Sequence, residues 1–328
     1  MKNKEDTGID LLKFIAAFLI LMSHMGFWYS YAPLWDFYFI NISFRWCIPF
    51  FFICTGFYLK DGFRKALKYE VRLLLLYIVW NIFYIVLDKM DVSFISLVKY
   101  IRFGAAIHLW YFPALICGVL FVYLLTKILP DCISCIIVIS MYIIALFGDC
   151  YANVMPMGAL FADTIGDVHK LLFEGTSRNG LLFCSLFIWI GRMIKKYEKK
   201  IVYQIKKVSL FWTVFPIILN FMFLALEIHL YKTYGLGIDA NVLISIVPLA
   251  LLMFLLGLRI EQVNTAWGVM MRKCSVIIYT VHIYYISRFN NLTGSSIVNC
   301  LIIYGISLVT ALVIAFLGKY IKILKYLY

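Results

Sequence analysis

Charge is scarce in this chain. Only 14% of its 328 residues are charged, where an average soluble domain has roughly 25%. Hydrophobic residues make up 64%, and the mean hydropathy is +0.93. A water-soluble fold cannot hide that much apolar surface, so the main solvent of the chain is lipid. Segments of strictly alternating polarity are also missing, which excludes a transmembrane β-barrel. Instead the apolar runs are continuous, as in 73–86, 132–147 and 242–258. No tandem repeat, low-complexity tract or linker to a soluble domain is visible. No Ala-x-Ala cleavage site follows the first apolar run, so that run is retained as a helix. The nine cysteines are scattered through apolar segments and read as small core residues. Cys132 and Cys135 form a Cys-x-x-Cys with no second pair or histidine nearby, so no metal is expected.

At roughly 20 apolar residues per crossing, the length allows about ten spans. Hydropathy places them near 10–28, 43–59, 71–87, 109–129, 132–147, 180–194, 208–228, 241–258, 274–287 and 296–318. The segment 92–107 is too short and mixed to span, and is expected at an interface or as a re-entrant piece. The expected fold is therefore all-α, a polytopic helix bundle forming one membrane domain over 1–328.

The formal charge of +13 does not indicate nucleic acid, because the basic residues alternate with the spans. One set of connections carries Lys2 and Lys4; Lys60, Arg64, Lys65 and Lys68; Lys127; the cluster from Arg192 to Lys207; Arg259, Arg272 and Lys273; and Lys319, Lys322 and Lys325. The intervening set carries only Lys89, Lys99, Arg102, Lys170, Arg178, Lys232 and Arg288. Positive charge stays on the cytoplasmic side, which orients the chain with both termini cytoplasmic in a bacterial-type cell membrane. The longest outer connection, 148–179, holds Asp149, Asp163, Asp167, His169, Glu174 and Arg178. It reads equally as a solvated loop or as a substrate mouth.

Ionisable groups inside spans are expensive and mark function by default. The first span carries Asp10, Lys13 and His24. Lys13 and His24 are eleven residues apart, about three turns plus 20°, so they share one helix face roughly 16 Å apart along the axis. Asp10 is one turn before Lys13 and can pair with it. A snorkelling lysine and a histidine bonded to a neighbouring helix would be the plainer account. Arg45 sits near the outer end of the second span, as a headgroup anchor or a cavity-lining group. Pro49 and the Thr55-Gly56 pair there predict local distortion and close helix packing. Lys68-Tyr69-Glu70-Val71-Arg72 opens the third span as an anchor or a phosphate clamp. Trp110 and Tyr111 fit an interfacial aromatic belt, but the belt leaves His108 unexplained. His282 is expected halfway across the ninth span, deeper than His24 and His108. Glu227 and His229 are expected to be interfacial.

Five stretches carry a resemblance: Asp10-Leu-Leu-Lys13 with His24; the run from Pro49 to Thr55-Gly56; His108-Leu-Trp110-Tyr111; Arg178-Asn179-Gly180; and Tyr279-x-x-His282. In this order, over nearly the whole chain, they resemble the membrane acyltransferase family 3. The resemblance implies a ten-helix bundle that moves an acetyl or other acyl group. The donor would be cytoplasmic acyl-CoA, and the acceptor an extracytoplasmic hydroxyl such as that of a cell-surface glycan. It implies that His24 takes the acceptor proton or relays the acyl group, that His108 or His282 orients substrate, and that Lys13, Lys68 and Arg72 hold CoA phosphates. Asp10, Arg45 and Arg178 would have substrate or structural roles. Two departures weaken the basic site: Lys13 stands where the family has Arg, and Tyr69-x-x-Arg72 replaces Arg-x-x-Arg.

The stretch 145–149 and Ser177-Arg178-Asn179-Gly180 are also similar to the membrane domain of vancomycin-resistance serine racemases. That likeness implies transport of L-serine, or another small amino acid, to a cytoplasmic partner domain. A receptor or scaffold role would leave the polar stripe of the first span unexplained.

Overall fold

A computed structural model describes residues 7–154, 177–237, 239–260 and 265–328. Lys2, Lys4, Asp163, Asp167, His169, Lys170 and Glu174 lie outside the described residues. Every described regular element is helical. Six stretches are long and apolar enough to cross a membrane: Thr7–Met25, Pro33–Tyr58, Phe63–Leu87, Tyr111–Ile128, Leu210–Tyr234 and Ser296–Leu317. Asp131–Phe147 and Ile246–Arg259 are shorter apolar helices. The chain divides into two compact units, the first made of Met1–Cys47, Val71–Pro113 and Leu255–Tyr328, the second of Ile48–Glu70 and Ala114–Phe254.

The first unit is built on α1 (Thr7–Met25), α2 (Pro33–Ser43), most of α4 (Phe63–Leu87), α5 (Phe94–Phe103), α12 (Thr265–Phe289) and α13 (Ser296–Leu317). α1 packs along α12, and α12 along α13. Asp10 of α1 contacts Arg272 near the start of α12, while His24 meets His282 near its end, so these helices run parallel. Tyr84 and Asp88, at and just past the end of α4, meet Thr280 and Arg288, so α4 is parallel to both. α13 starts beside the chain that leaves α1, with Ser296 donating from its backbone to Ser30 Oγ, and so runs the opposite way. α2 occupies a stretch that hydropathy leaves as a connection. Pro33 at its first turn and Asp36, which accepts from Trp28 N–H at 2.7 Å, fix its entry. α5 is the segment predicted not to span. Ser93 caps it, and none of its residues is buried.

The second unit contains α3 (Cys47–Tyr58), α6 (Tyr111–Ile128), α7 (Asp131–Phe147), a π turn at Gly180–Cys184 leading into α8 (Ser185–Lys196), α9 (Glu198–Lys207), α10 (Leu210–Tyr234) and α11 (Ile246–Arg259), with α3, α6 and α11 crossing its boundary. α3 and α8 touch backbone to backbone: a Cβ on Gly56 would strike Ile188 O, and one on Gly191 would strike Ile53 O. This is the close packing expected from Thr55-Gly56. Asn179 caps the π turn by accepting from Leu181 and Leu182 N–H.

Glu227 is not an interfacial group. It is buried, and accepts from Ile244 N–H (2.7 Å), Ser245 N–H (2.9 Å), the Ser245 hydroxyl and Tyr151 OH (2.5 Å). It thereby holds the irregular segment that enters α11, because α10 runs on to Tyr234 and carries residue 227 inside the helix rather than at its end. Asp149 holds the same segment further upstream, accepting from Asn241 and Val242 N–H at 2.9 and 3.0 Å.

Candidate functional site

Three histidines from distant parts of the sequence meet inside the first unit. His24 ends α1, His108 lies in the turn between α5 and α6, and His282 lies in α12. The His24 and His282 rings are 5.2 Å apart between centroids, and those of His108 and His282 are 4.9 Å apart. His108 and His282 are almost completely buried, whereas His24 is exposed. The expected depth difference is corrected by this contact. α12 begins at 265 rather than 274, which places residue 282 in the final third of the helix, level with the end of α1.

Backbone carbonyls fix two of the rings. His282 Nδ1 is 2.7 Å from Tyr279 O and 3.2 Å from Ile278 O, so that nitrogen carries the proton. His108 Nε2 is 3.2 Å from Thr280 O and likewise donates. The opposite nitrogens, His108 Nδ1 and His282 Nε2, are buried with no hydrogen-bond partner among the described residues. Tyr279 OH donates to His108 O at 2.7 Å, so α12 and the 106–110 turn clasp each other in both directions. The turn is held from α4 by Asn81, whose Oδ1 accepts from Ala105 N–H at 2.7 Å. Gly104 enters the turn at φ 90°, where a side chain would meet Leu109.

Tyr84 adds a contact that sequence reasoning missed. Its hydroxyl donates to Thr280 O at 2.8 Å and accepts from Tyr284 N–H at 3.3 Å. Those two backbone groups are four residues apart on α12, so the phenol sits beside one turn of that helix. Neither glycine nor proline marks the place, so the sequence of α12 carried no signal for it.

Basic residues form a second cluster at the start of α1 and α12. Asp10, almost fully buried, lies 3.5 Å from Lys13 Nζ and 3.3 Å from Arg272 Nη1. Arg272 carries no site signal in the sequence, because hydropathy starts the ninth span after it while the helix itself starts at Thr265. Of the other predicted basic groups, Arg72 is exposed and donates to Tyr328 O at 2.8 Å. Lys68 is exposed in the second unit. Arg45 is tied to its own segment, donating from Nε to Asn41 Oδ1 at 2.8 Å. Arg178 is in the second unit near Asp149, where its charge opposes the burial that raises the Asp149 pKa.

Against known families, the model described as "Acyltransferase domain" matches residues 6–320, and the chain belongs to this family, acyltransferase family 3. Its curated relatives carry a different name. An "Amino-acid racemase" of Enterococcus faecalis is 33% identical over 218 residues, covering 61% of this chain and 30% of the relative. A second protein of that name and organism is 24% identical over 353 residues, covering 99% of this chain and 48% of the relative. A "Serine/alanine racemase" of Enterococcus gallinarum is 30% identical over 234 residues, covering 65% and 32%. The match thus spans less than half the length of each relative. No solved structure matches the chain.

Proposed function

We propose that this is an integral membrane O-acyltransferase that moves an acyl group, acetyl in its simplest form, from cytoplasmic acyl-CoA to a hydroxyl of an extracytoplasmic acceptor such as a cell-surface glycan. The observation that carries this reading is the exposed His24 imidazole backed by His282 and His108. An imidazole in reach of substrate suits proton transfer. His24 takes the proton of the acceptor hydroxyl as its oxygen attacks the thioester carbonyl. The C–S bond then breaks, the acyl group stays on the acceptor oxygen, and the CoA sulfur leaves with the proton. His108 or His282 orients the acceptor. Lys13 and Arg72 hold phosphate charge at the cytoplasmic mouth. Ten helices, α1, α3, α4, α6, α7, α8 and α10–α13, would cross the bilayer, with both termini cytoplasmic. The helix directions in the first unit agree with that count: the first, third and ninth crossings are parallel and the tenth opposes them.

A second reading is favoured by the racemase relatives and by Asp10, which offsets part of the positive charge of Lys13 and Arg272. On that reading the chain carries L-serine or another small amino acid to a cytoplasmic partner domain. Reconstituted protein assayed for acetyl-CoA binding and hydrolysis, beside uptake of labelled serine, separates the two. Acetyl-CoA hydrolysis lost in His24→Gln and binding lost in Lys13→Ala support the enzyme. Serine uptake without CoA affinity overturns it.

A further inference from the structure

We propose that Tyr84 is a positioning residue for the histidine cluster: its hydroxyl bonds the Thr280 carbonyl and fixes that oxygen where it holds His108 in the Nε2–H form. The catalytic meaning of this arrangement rests on reading the cluster as the site of proton transfer, but the hydrogen-bond relationship does not.

Both capacities of the phenol are used, since it donates to Thr280 O and accepts from Tyr284 N–H. Tyr84 and Thr280 are buried, so water does not compete at this point. The Thr280 carbonyl accepts from Tyr84 at 2.8 Å and from His108 Nε2 at 3.2 Å. The phenol and the imidazole thus meet at one acceptor, and their rings are 5.5 Å apart between centroids. The consequence is chemical: with the proton held on Nε2, the bare nitrogen of His108 is Nδ1. His282 takes its orientation from Tyr279 O and Ile278 O, which are independent of the Tyr84 contact. Tyr84 therefore controls one ring of the pair and not the other.

The test is nitrogen NMR of the reconstituted full chain labelled at histidine, in wild type, Tyr84→Phe and Tyr285→Phe. Tyr285 bonds Thr310 Oγ1 elsewhere on α12 and serves as the hydroxyl-deletion control. Wild type is expected to show His108 as one Nε2–H tautomer. In Tyr84→Phe, His108 becomes a tautomer mixture while His282 keeps its Nδ1 proton, and Tyr285→Phe matches wild type. In the acyl-transfer assay, Tyr84→Phe lowers kcat by roughly 10- to 100-fold with KM little changed, the cost of a misplaced group. An unchanged His108 tautomer in Tyr84→Phe overturns the proposal. If that variant does not fold, the wild-type spectrum decides, because a mixed or Nδ1–H His108 also overturns it. A tautomer shift in a protein that shows no acyl transfer defeats the enzyme reading and leaves the positioning role standing.

Discussion

Asp10 Oδ2 lies 3.3 Å from Nη1 of Arg272, joining the first turn of α1 to the early part of α12 across 262 positions of sequence. Asp10 also holds Lys13, so one buried carboxylate answers two cations. In Asp10→Asn the shape stays and the charge goes. Since Arg272 is substantially exposed, the expected loss of stability is about 2 kcal/mol rather than the larger value of a fully buried pair. Thermal unfolding in detergent measures it. The same variant is expected to bind acetyl-CoA more tightly than wild type, because one negative charge beside Lys13 and Arg272 is gone. Unchanged or weaker binding would remove both residues from the donor site.

The crossing of α3 and α8 permits no side chain at Gly56 or Gly191, where backbone atoms of the other helix occupy the space. Gly191→Ala is expected to cost roughly 1–3 kcal/mol by overpacking. Gly56→Ala should behave alike, and the double variant should cost less than the sum, because once the helices are apart the second methyl has room. A melting temperature equal to wild type in either single variant would contradict the packing.

Burial pushes the Asp149 carboxyl from its ordinary 3.8 up to about 6, against the pull of Val242 and Asn241 N–H and of Arg178. A carboxyl that binds its proton more tightly in the folded state gives most stability while protonated. Its contribution is therefore full below about pH 4, declines as pH rises to about 6, and is flat above. Asp149→Asn, which keeps an oxygen for the same two N–H groups, should abolish this slope. Parallel melting profiles of the two proteins between pH 4 and 7 would show that Asp149 does not titrate in that window.

Tyr279→Phe removes the donor to His108 O at a buried position. His108 O then keeps only the longer bond from Tyr111 N–H at 3.4 Å, and the loss is expected to cost about 1 kcal/mol. If the 106–110 turn matters to the site, acyl transfer falls as well. Loss of stability with full activity would confine Tyr279 to a structural role.

Much of this architecture was legible in the residues themselves. Continuous apolar runs located the six long apolar helices, and Lys13 with Asp10 formed the pair that their spacing predicted. Thr55-Gly56 announced a close crossing, although its partner Gly191 lies beyond the reach of local pattern. Periodicity is blind to which helix meets which, so the meeting of His24, His108 and His282 could not be read from it. Boundaries misled where polar residues open a helix. α12 begins with Arg272 and Lys273 already inside it, which shifted its midpoint and hence the apparent depth of His282. At Glu227 the converse holds: polar residues close α10, which continues past it for two turns and so carries it inside the helix.

The Thr280 carbonyl belongs to α12, but the phenol and the imidazole that reach it come from α4 and from the turn before α6. Sliding α4 by one residue, about 1.5 Å, would withdraw the phenol and leave, of these two, His108 alone on that oxygen. The seating of one neighbouring helix is thus felt at a ring that it does not carry.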